Sequence, residues 1–290
     1  MPELPEDEIL VRHLRPLVRN KTIRHVEVRR ARVVSPTPLK VFQRVLVGAK
    51  ITRLSRRGKY LLFQLQTARG RKAVTLVGHL GMTGRMFVAR RSAPLPKHAA
   101  VVLGLGRENF IYEDTRYFGR LTLDDSTLAS LGPEPLGEDF GAKNFGVALR
   151  RSRQAIKVKL LDQTLVAGIG NIYASEALFR ARISPHRAAC RLTRAQVGRL
   201  WQAIRGVLAT AIRRGSTIPL SFRDAGSDGL FYFGRAAGVP DFYEERLRVY
   251  DRGGKPCVRC GMAIRRIVQA ARSTFFCPDC QSGGGSPGLP

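Results

Sequence analysis

From Ile9 to Val18 the apolar residues Leu10, Leu14, Leu17 and Val18 return with a helical period, while Arg12, Arg15 and Arg19 take the other face. Pro5 and the acids Glu6, Asp7 and Glu8 suit the start of that helix, where the dipole favours negative charge. Pro16 should kink the helix or end it soon after. Such a helix would hold the N-terminus and aim it. From Thr22 to about Leu123 the period changes. Short β-rich runs at 23–34, 60–65, 74–77, 99–105 and 110–112 are separated by Gly- and Pro-containing turns, which predicts a sheet sandwich or barrel. The stretch 131–137 (LGPEPLG) reads as a linker. Beyond it, 147–161, 172–182 and 193–214 are expected as helices, with a Gly/Ser-containing loop over 215–229. A small cysteine-bearing unit over 249–281 follows, and the tail 282–290 is too poor in apolar groups to fold.

Composition adds a partner class. Lysine and arginine total 50 against 22 acids, a net charge of +28 spread along the whole chain. A compact body of that charge is drawn to a polyanion, nucleic acid first of all; a generally arginine-rich proteome would account for part of the excess. The acidic N-terminus carries no apolar signal run, and no stretch is long and apolar enough to span a bilayer. The expectation is an intracellular, cytoplasmic protein with no membrane partner. Its cysteines are then better read as metal ligands or buried thiols than as disulfides.

Cys257, Cys260, Cys277 and Cys280 form C-x2-C-x16-C-x2-C, the spacing of a structural zinc site. Four thiolates would close the tetrahedron around one Zn2+ and leave no position for a reacting water. The intervening residues can return as a hairpin carrying Arg265, Arg266 and Arg272. Cys190 stands apart and is expected as a buried thiol. Further upstream, Gly168-Ile169-Gly170-Asn171 leads into an apolar helix, with Asn171 as expected N-cap. The exposed N–H groups there could receive a phosphate, although Gly-x-Gly before a helix is also a common plain turn.

Taken in order, the chain resembles the formamidopyrimidine-DNA glycosylases. The resemblance is carried by Pro2-Glu3-Leu4-Pro5-Glu6, Arg57-Gly58-Lys59-Tyr60-Leu61 and Gly78-His79-Leu80-Gly81-Met82-Thr83-Gly84. It continues through Glu113-Asp114-Thr115-Arg116-Tyr117-Phe118-Gly119, the block 168–178 and the zinc segment ending at Gln281. It implies an α+β, multidomain fold: an N-terminal β-sandwich with a leading helix, a helical domain with a helix–two-turn–helix motif, and a C-terminal four-cysteine zinc-finger β-hairpin. The boundaries expected are 1–136, 137–246 and 247–281, then a disordered tail at 282–290.

The same resemblance implies roles. With Met1 removed, Pro2 would present a secondary amine, partly unprotonated near neutral pH, that attacks the sugar C1′; a Met-Pro start by itself is frequent and inert. Glu3 would be the acid–base catalyst, with Glu6 as the competing carboxylate or a simple helix-start acid. Lys59 would contact the phosphate beside the lesion. Met82 would fill the gap left by an extruded base, Phe118 wedge between bases, and Arg116 pair with the orphaned cytosine. His79, Lys157, Asn171 and Arg272 would hold phosphates. The activity implied is excision of oxidised purines from damaged double-stranded DNA, followed by strand cleavage, by a monomer. An endonuclease VIII-like glycosylase for oxidised pyrimidines, a non-catalytic binder of damaged DNA and a zinc-ribbon adaptor are the alternatives. From Leu220 to Asp224, and at Tyr117, the chain departs from the family pattern.

Overall fold

Helix α1 (Leu4–Val18) opens where the acids stand. Glu3 is its N-cap, and Glu6 completes a capping box by accepting the Glu3 N–H at 2.9 Å. Leu10, Val11, Leu14 and Val18 form its buried face. The helix ends two residues after Pro16, at Val18, and its C-cap Arg19 has an extended backbone.

The computed structural model describes residues 2–68, 70, 73–214 and 247–282. Those up to Ser130 belong to one compact unit and those from Leu131 on to a second. The expected loop 215–229 and the tail from 283 onward lie outside the described residues. Among the described residues no helix is long and apolar enough to cross a membrane.

In the first unit β1 (His25–Val28), α2 (Leu39–Leu46), β2 (Lys50–Arg57), β3 (Tyr60–Gln66) and β4 (Ala73–His79) are followed by four more strands. These are β5 (Gly84–Arg90), β6 (Ala99–Gly104), β7 (Glu108–Asp114) and β8 (Arg120–Thr122). They form two antiparallel sheets, ordered β1-β6-β7-β5 and β2-β3-β4-β8. Leu54, Leu61 and Phe63 from one sheet meet Val101, Leu103 and Phe110 from the other in a shared core, into which α1 sends Leu14 and α2 sends Phe42. The Phe63 and Phe110 rings touch edge to face at 5.3 Å. This is the expected sandwich. Two details differ from expectation. The run 23–34 divides into β1 and a 3-10 turn over Ala31–Val34, and the β-rich region contains a helix, α2, entered at Pro38.

The second unit holds α3 (Ala142–Arg150), α4 (Ile156–Lys159), α5 (Asn171–Ala181) and α6 (Arg194–Arg213). One helix was expected over 147–161, and the structure makes two. The break at 151–155 is bound by the backbone of 187–190: Ala155 bridges Ala188, the Ala189 N–H reaches the Gln154 carbonyl and the Cys190 N–H the Ser152 carbonyl, each at 2.9 Å. This long-range ladder outweighs local helical pattern. Cys190, expected buried, is half-buried, because that backbone pairing sets its place in a short 3-10 turn. Helix α6 starts in a capping box of Thr193 and Gln196. Strands β9 (Arg265–Gln269) and β10 (Arg272–Phe276) form an antiparallel hairpin over a small core of Phe179, Val249, Ile264 and Phe275.

Candidate active site and nucleic-acid interface

At the start of α1, Pro2, Glu3, Glu6 and Asp7 are all buried. Lys59 joins this group electrostatically, acting on Asp7 from the β2–β3 turn. That turn has two central residues, Gly58 and Lys59; Gly58 takes φ +56°, which glycine tolerates without strain. Arg56 braces it, donating to the Gly58 carbonyl at 2.8 Å and to Glu8 at 3.0 Å. Lys59 is thus only 8% exposed, unlike an ordinary turn lysine. Three buried carboxyls and a buried lysine beside Pro2 are groups suited to proton transfer.

The second cluster comes from two loops that back onto each other. Gly81, at φ +63°, and Gly119 allow it: a Cβ on Gly81 would lie 2.6 Å from the Gly119 nitrogen, and one on Gly119 2.0 Å from the Tyr112 hydroxyl. Asp114 is fully buried and ties both loops, accepting from Thr83 Oγ1 at 2.6 Å, Gly119 N at 2.9 Å and Arg116 N at 3.1 Å. With that support Met82 and Phe118 stand 39% and 46% exposed. The Arg116 guanidinium lies 4.7 Å from the Phe118 ring centre and donates to Met82 Sδ at 3.4 Å. Met82, Arg116 and Phe118 are therefore brought together. Arg30 and Arg32 lie over the rings of Tyr117 and Phe118.

His79 ends β4, half-buried against the Tyr60 ring. Burial, then the charges of Lys59 and Arg120, push its pKa down to about 4. Its Nδ1 accepts the Gly81 N–H at 3.2 Å, which assigns the remaining proton to Nε2. It is a neutral donor.

In the second unit Lys157 is 1% exposed and donates to Asn171 Oδ1, while Asn171 Nδ2 donates to the Ser273 carbonyl at 2.8 Å. Gly170 is the N-cap of α5, and Asn171 is its first residue; the expected capping by Asn171 gives way to these two side-chain bonds. Gln163 shapes the preceding loop, taking the Gly168 N–H at 2.8 Å and donating to the Ile169 carbonyl at 2.8 Å. Arg272 is exposed at the start of β10, next to Ser273.

The four cysteines of the hairpin unit place their Sγ atoms within 4.8 Å of one another. Cys257–Cys280 at 3.9 Å and Cys260–Cys277 at 3.4 Å are far beyond a disulfide bond of about 2.05 Å. They are close to the roughly 3.8 Å edge of a tetrahedron built on Zn–S bonds of about 2.3 Å. The Arg259 and Cys280 N–H groups point at Sγ atoms, as thiolates require. The donors fit one structural Zn2+.

Family models match three parts of the chain: the formamidopyrimidine-DNA glycosylase N-terminal domain at 1–121, the formamidopyrimidine-DNA glycosylase H2TH domain at 131–222, and a zinc finger found in FPG and IleRS at 254–283. A formamidopyrimidine-DNA glycosylase of Desulfitobacterium hafniense is 43% identical over 97% of this chain and 100% of its own length. The chain belongs to the formamidopyrimidine-DNA glycosylase family. As a member it is a DNA-binding glycosylase of DNA repair with a four-cysteine zinc finger. Among solved family structures, a Lactococcus lactis FPG mutant in complex with Fapy-dG containing DNA aligns with a TM-score of 0.84 at 35% identity, covering 97% of this chain and 99% of that one. A wild-type L. lactis complex with an oxidized pyrimidine containing DNA reaches 0.82 at 36% identity, with the same coverage. The MutM (FPG) protein from Thermus thermophilus reaches 0.79 at 41% identity, covering 98% of this chain and 100% of that one.

Within this formamidopyrimidine-DNA glycosylase family member, some supporting residues escaped sequence reasoning. Asp114 lay inside a recognised block without a role, and Asp7 was read only as a helix-start acid. Glu176, a carboxylate in the apolar α5, accepts the N–H groups of Arg248, Val249 and Tyr250 at 3.0, 2.9 and 2.9 Å and so fastens the chain entering the hairpin unit. Its only sequence signal is a lone acid between Tyr173, Ala174, Ala177 and Leu178.

Proposed function

We propose that the chain is a bifunctional DNA glycosylase and abasic-site lyase that excises oxidised purines, 8-oxoguanine and formamidopyrimidines, from damaged double-stranded DNA as a monomer. The observation that supports this reading is the buried first turn of α1, where Pro2 and Glu3 are enclosed and where Glu3 and the buried Lys59 both act electrostatically on Asp7. After Met1 is removed, the Pro2 amine attacks C1′ of the damaged nucleotide. The bond from C1′ to the base breaks, and the base leaves with that electron pair and a proton. Glu3 protonates the ring oxygen as the sugar opens, leaving an iminium between Pro2 and C1′. The iminium accepts the electron pair freed when the C2′ proton departs, so the 3′ phosphate is expelled, and a second elimination expels the 5′ phosphate.

Lys59 steers the adjacent phosphate. Met82 occupies the gap of the extruded base, Phe118 separates neighbouring bases and Arg116 donates to the orphaned cytosine. Asn171 and Arg272 receive phosphates with His79, and buried Lys157 lends its charge to Asn171. Zn2+, when bound, supplies no reaction step; Cys257, Cys260, Cys277 and Cys280 would hold it as the rigid base of the hairpin. The L. lactis complex with oxidised pyrimidine favours a second reading in which pyrimidine lesions are also taken. Pro2→Gly tests the chemistry: strand cleavage on an 8-oxoguanine duplex should be lost while binding stays within a few-fold. Cleavage at the wild-type rate would remove Pro2 from the mechanism.

A further inference from the structure

The sheet sandwich of the first unit has a second end, remote from the Met82 and Phe118 loops. Strand β5 leaves the Met82 loop at Gly84 and runs to Arg90, and β7 pairs with it from Asp114 to Glu108. At about 3.4 Å per residue this register separates the two ends by about 20 Å. Helix α1, from Leu4 to Val18, covers a similar span at about 1.5 Å per residue.

That far end is basic. Lys21, Arg90, Ser92, Arg107 and Glu108 line an open cavity of about 390 Å³. Backbone bonds fix its rim. The Leu105 N–H donates to the Glu108 carbonyl at 2.8 Å, which leaves Gly106 and Arg107 as the tip of the β6–β7 turn. The Arg91 N–H reaches the Arg107 carbonyl at 3.0 Å, and the Arg24 N–H reaches the Gly104 carbonyl at 2.8 Å. Glu108 is the one carboxylate in the cavity lining, and Lys21 pairs with it at 3.2 Å. Arg24, Arg90, Arg91 and Arg107 are exposed. Among the described residues none of their guanidinium groups pairs with a carboxylate. Like charges gathered in this way repel one another until an anion joins them.

We propose that this far end is a second DNA-binding surface, which takes the phosphates of an undamaged duplex segment while the lesion end holds another. The inference rests on the DNA-binding reading and does not depend on the chemistry at Pro2. Guanidinium forks match phosphate oxygens. All the residues lining the cavity are polar, so it offers no apolar anchor of the kind a protein partner uses, whereas phosphate contacts need none. With both ends occupied the protein bridges two segments and passes from one to the other without leaving DNA.

The test saturates the protein with a short duplex holding a tetrahydrofuran abasic analogue, then titrates a labelled undamaged duplex. Wild type should take up the second duplex with a log–log salt slope of about −2 to −4, at roughly −0.9 per phosphate contact. Arg90→Glu with Arg107→Glu should weaken that uptake by about tenfold or more. Affinity for the lesion duplex should stay within about two-fold, because the two ends are further apart than the roughly 8 Å screening length. Arg90→Gln with Arg107→Gln, which removes charge without reversing it, should fall between. Equal melting temperatures of wild type and variants separate lost binding from lost folding. No second-duplex uptake by the wild-type complex overturns the proposal, as does equal uptake by the charge-reversed variant. Uptake of a labelled oligoglutamate peptide in place of DNA overturns it in favour of an acidic protein partner. Failure of wild type to hold the lesion duplex would instead remove the DNA-binding reading itself.

Discussion

Asp114 accepts hydrogen bonds from the Thr83 and Tyr112 hydroxyls and from two backbone N–H groups, and so holds the loops of Met82 and Phe118. Replacing it with alanine would free both loops and leave the buried Gly119 N–H unpaired, at about 1–3 kcal/mol. Asp114→Ala should therefore weaken lesion binding even though the residue makes no DNA contact in our reading; affinity unchanged on an abasic-analogue duplex would contradict its place as the pivot. His79 allows a sharper distinction. Burial holds its pKa near 4, so at neutral pH it offers a phosphate a hydrogen bond but no charge. His79→Ala should lower affinity with the salt dependence unchanged, while Arg272→Ala should flatten the log–log salt slope by about 0.9. Equal slope changes would mean that the imidazole is charged in the complex. The four cysteines were legible in the sequence because their chemistry is local to one short spacing; Pro2, Lys59 and Arg116 were singled out through short family blocks, and their roles are part of the proposal. Asp7, Asp114 and Glu176 were not, because each draws its meaning from burial and from partners that only the folded chain supplies.

Among the elements, those with long, clean periodicity were the readable ones: α1, α5 and α6 begin and end within a few residues of expectation. The break between α3 and α4 was hidden because its cause, the backbone of 187–190, is remote in sequence. Helix α2 was hidden by its shortness and its valines. The β9–β10 hairpin turns through Ala270 and Ala271, both left-handed at φ +46° and +58°, a conformation that costs an L-residue roughly 1–2 kcal/mol. Ala270→Asn with Ala271→Gly supplies the residues this turn favours. The pair should stabilise the hairpin by about 1 kcal/mol, seen as a higher melting temperature of the holoprotein; a lower one would mean that the turn differs in solution. Removing zinc acts on the same element. The hairpin core is small and includes Cys257 and Cys277, so chelation should unfold this unit and reduce DNA affinity more than it alters the N-terminal chemistry.

For the molecule as a whole, the net charge of +28 explains attraction to DNA without explaining selectivity. In our proposal that falls to the exposed Met82, Arg116 and Phe118 and to the enclosed group around Pro2. The account's central claim is that the Pro2 amine forms a covalent iminium with the sugar of an oxidised purine nucleotide. Borohydride trapping of the purified protein on a duplex with 8-oxoguanine opposite cytosine, beside a thymine-glycol duplex, tests it most directly. The account predicts an adduct that peptide mapping assigns to Pro2 and that forms faster on 8-oxoguanine. An adduct confined to thymine glycol would move the protein to pyrimidine lesions, and tight binding with no adduct on either duplex would contradict the claim outright.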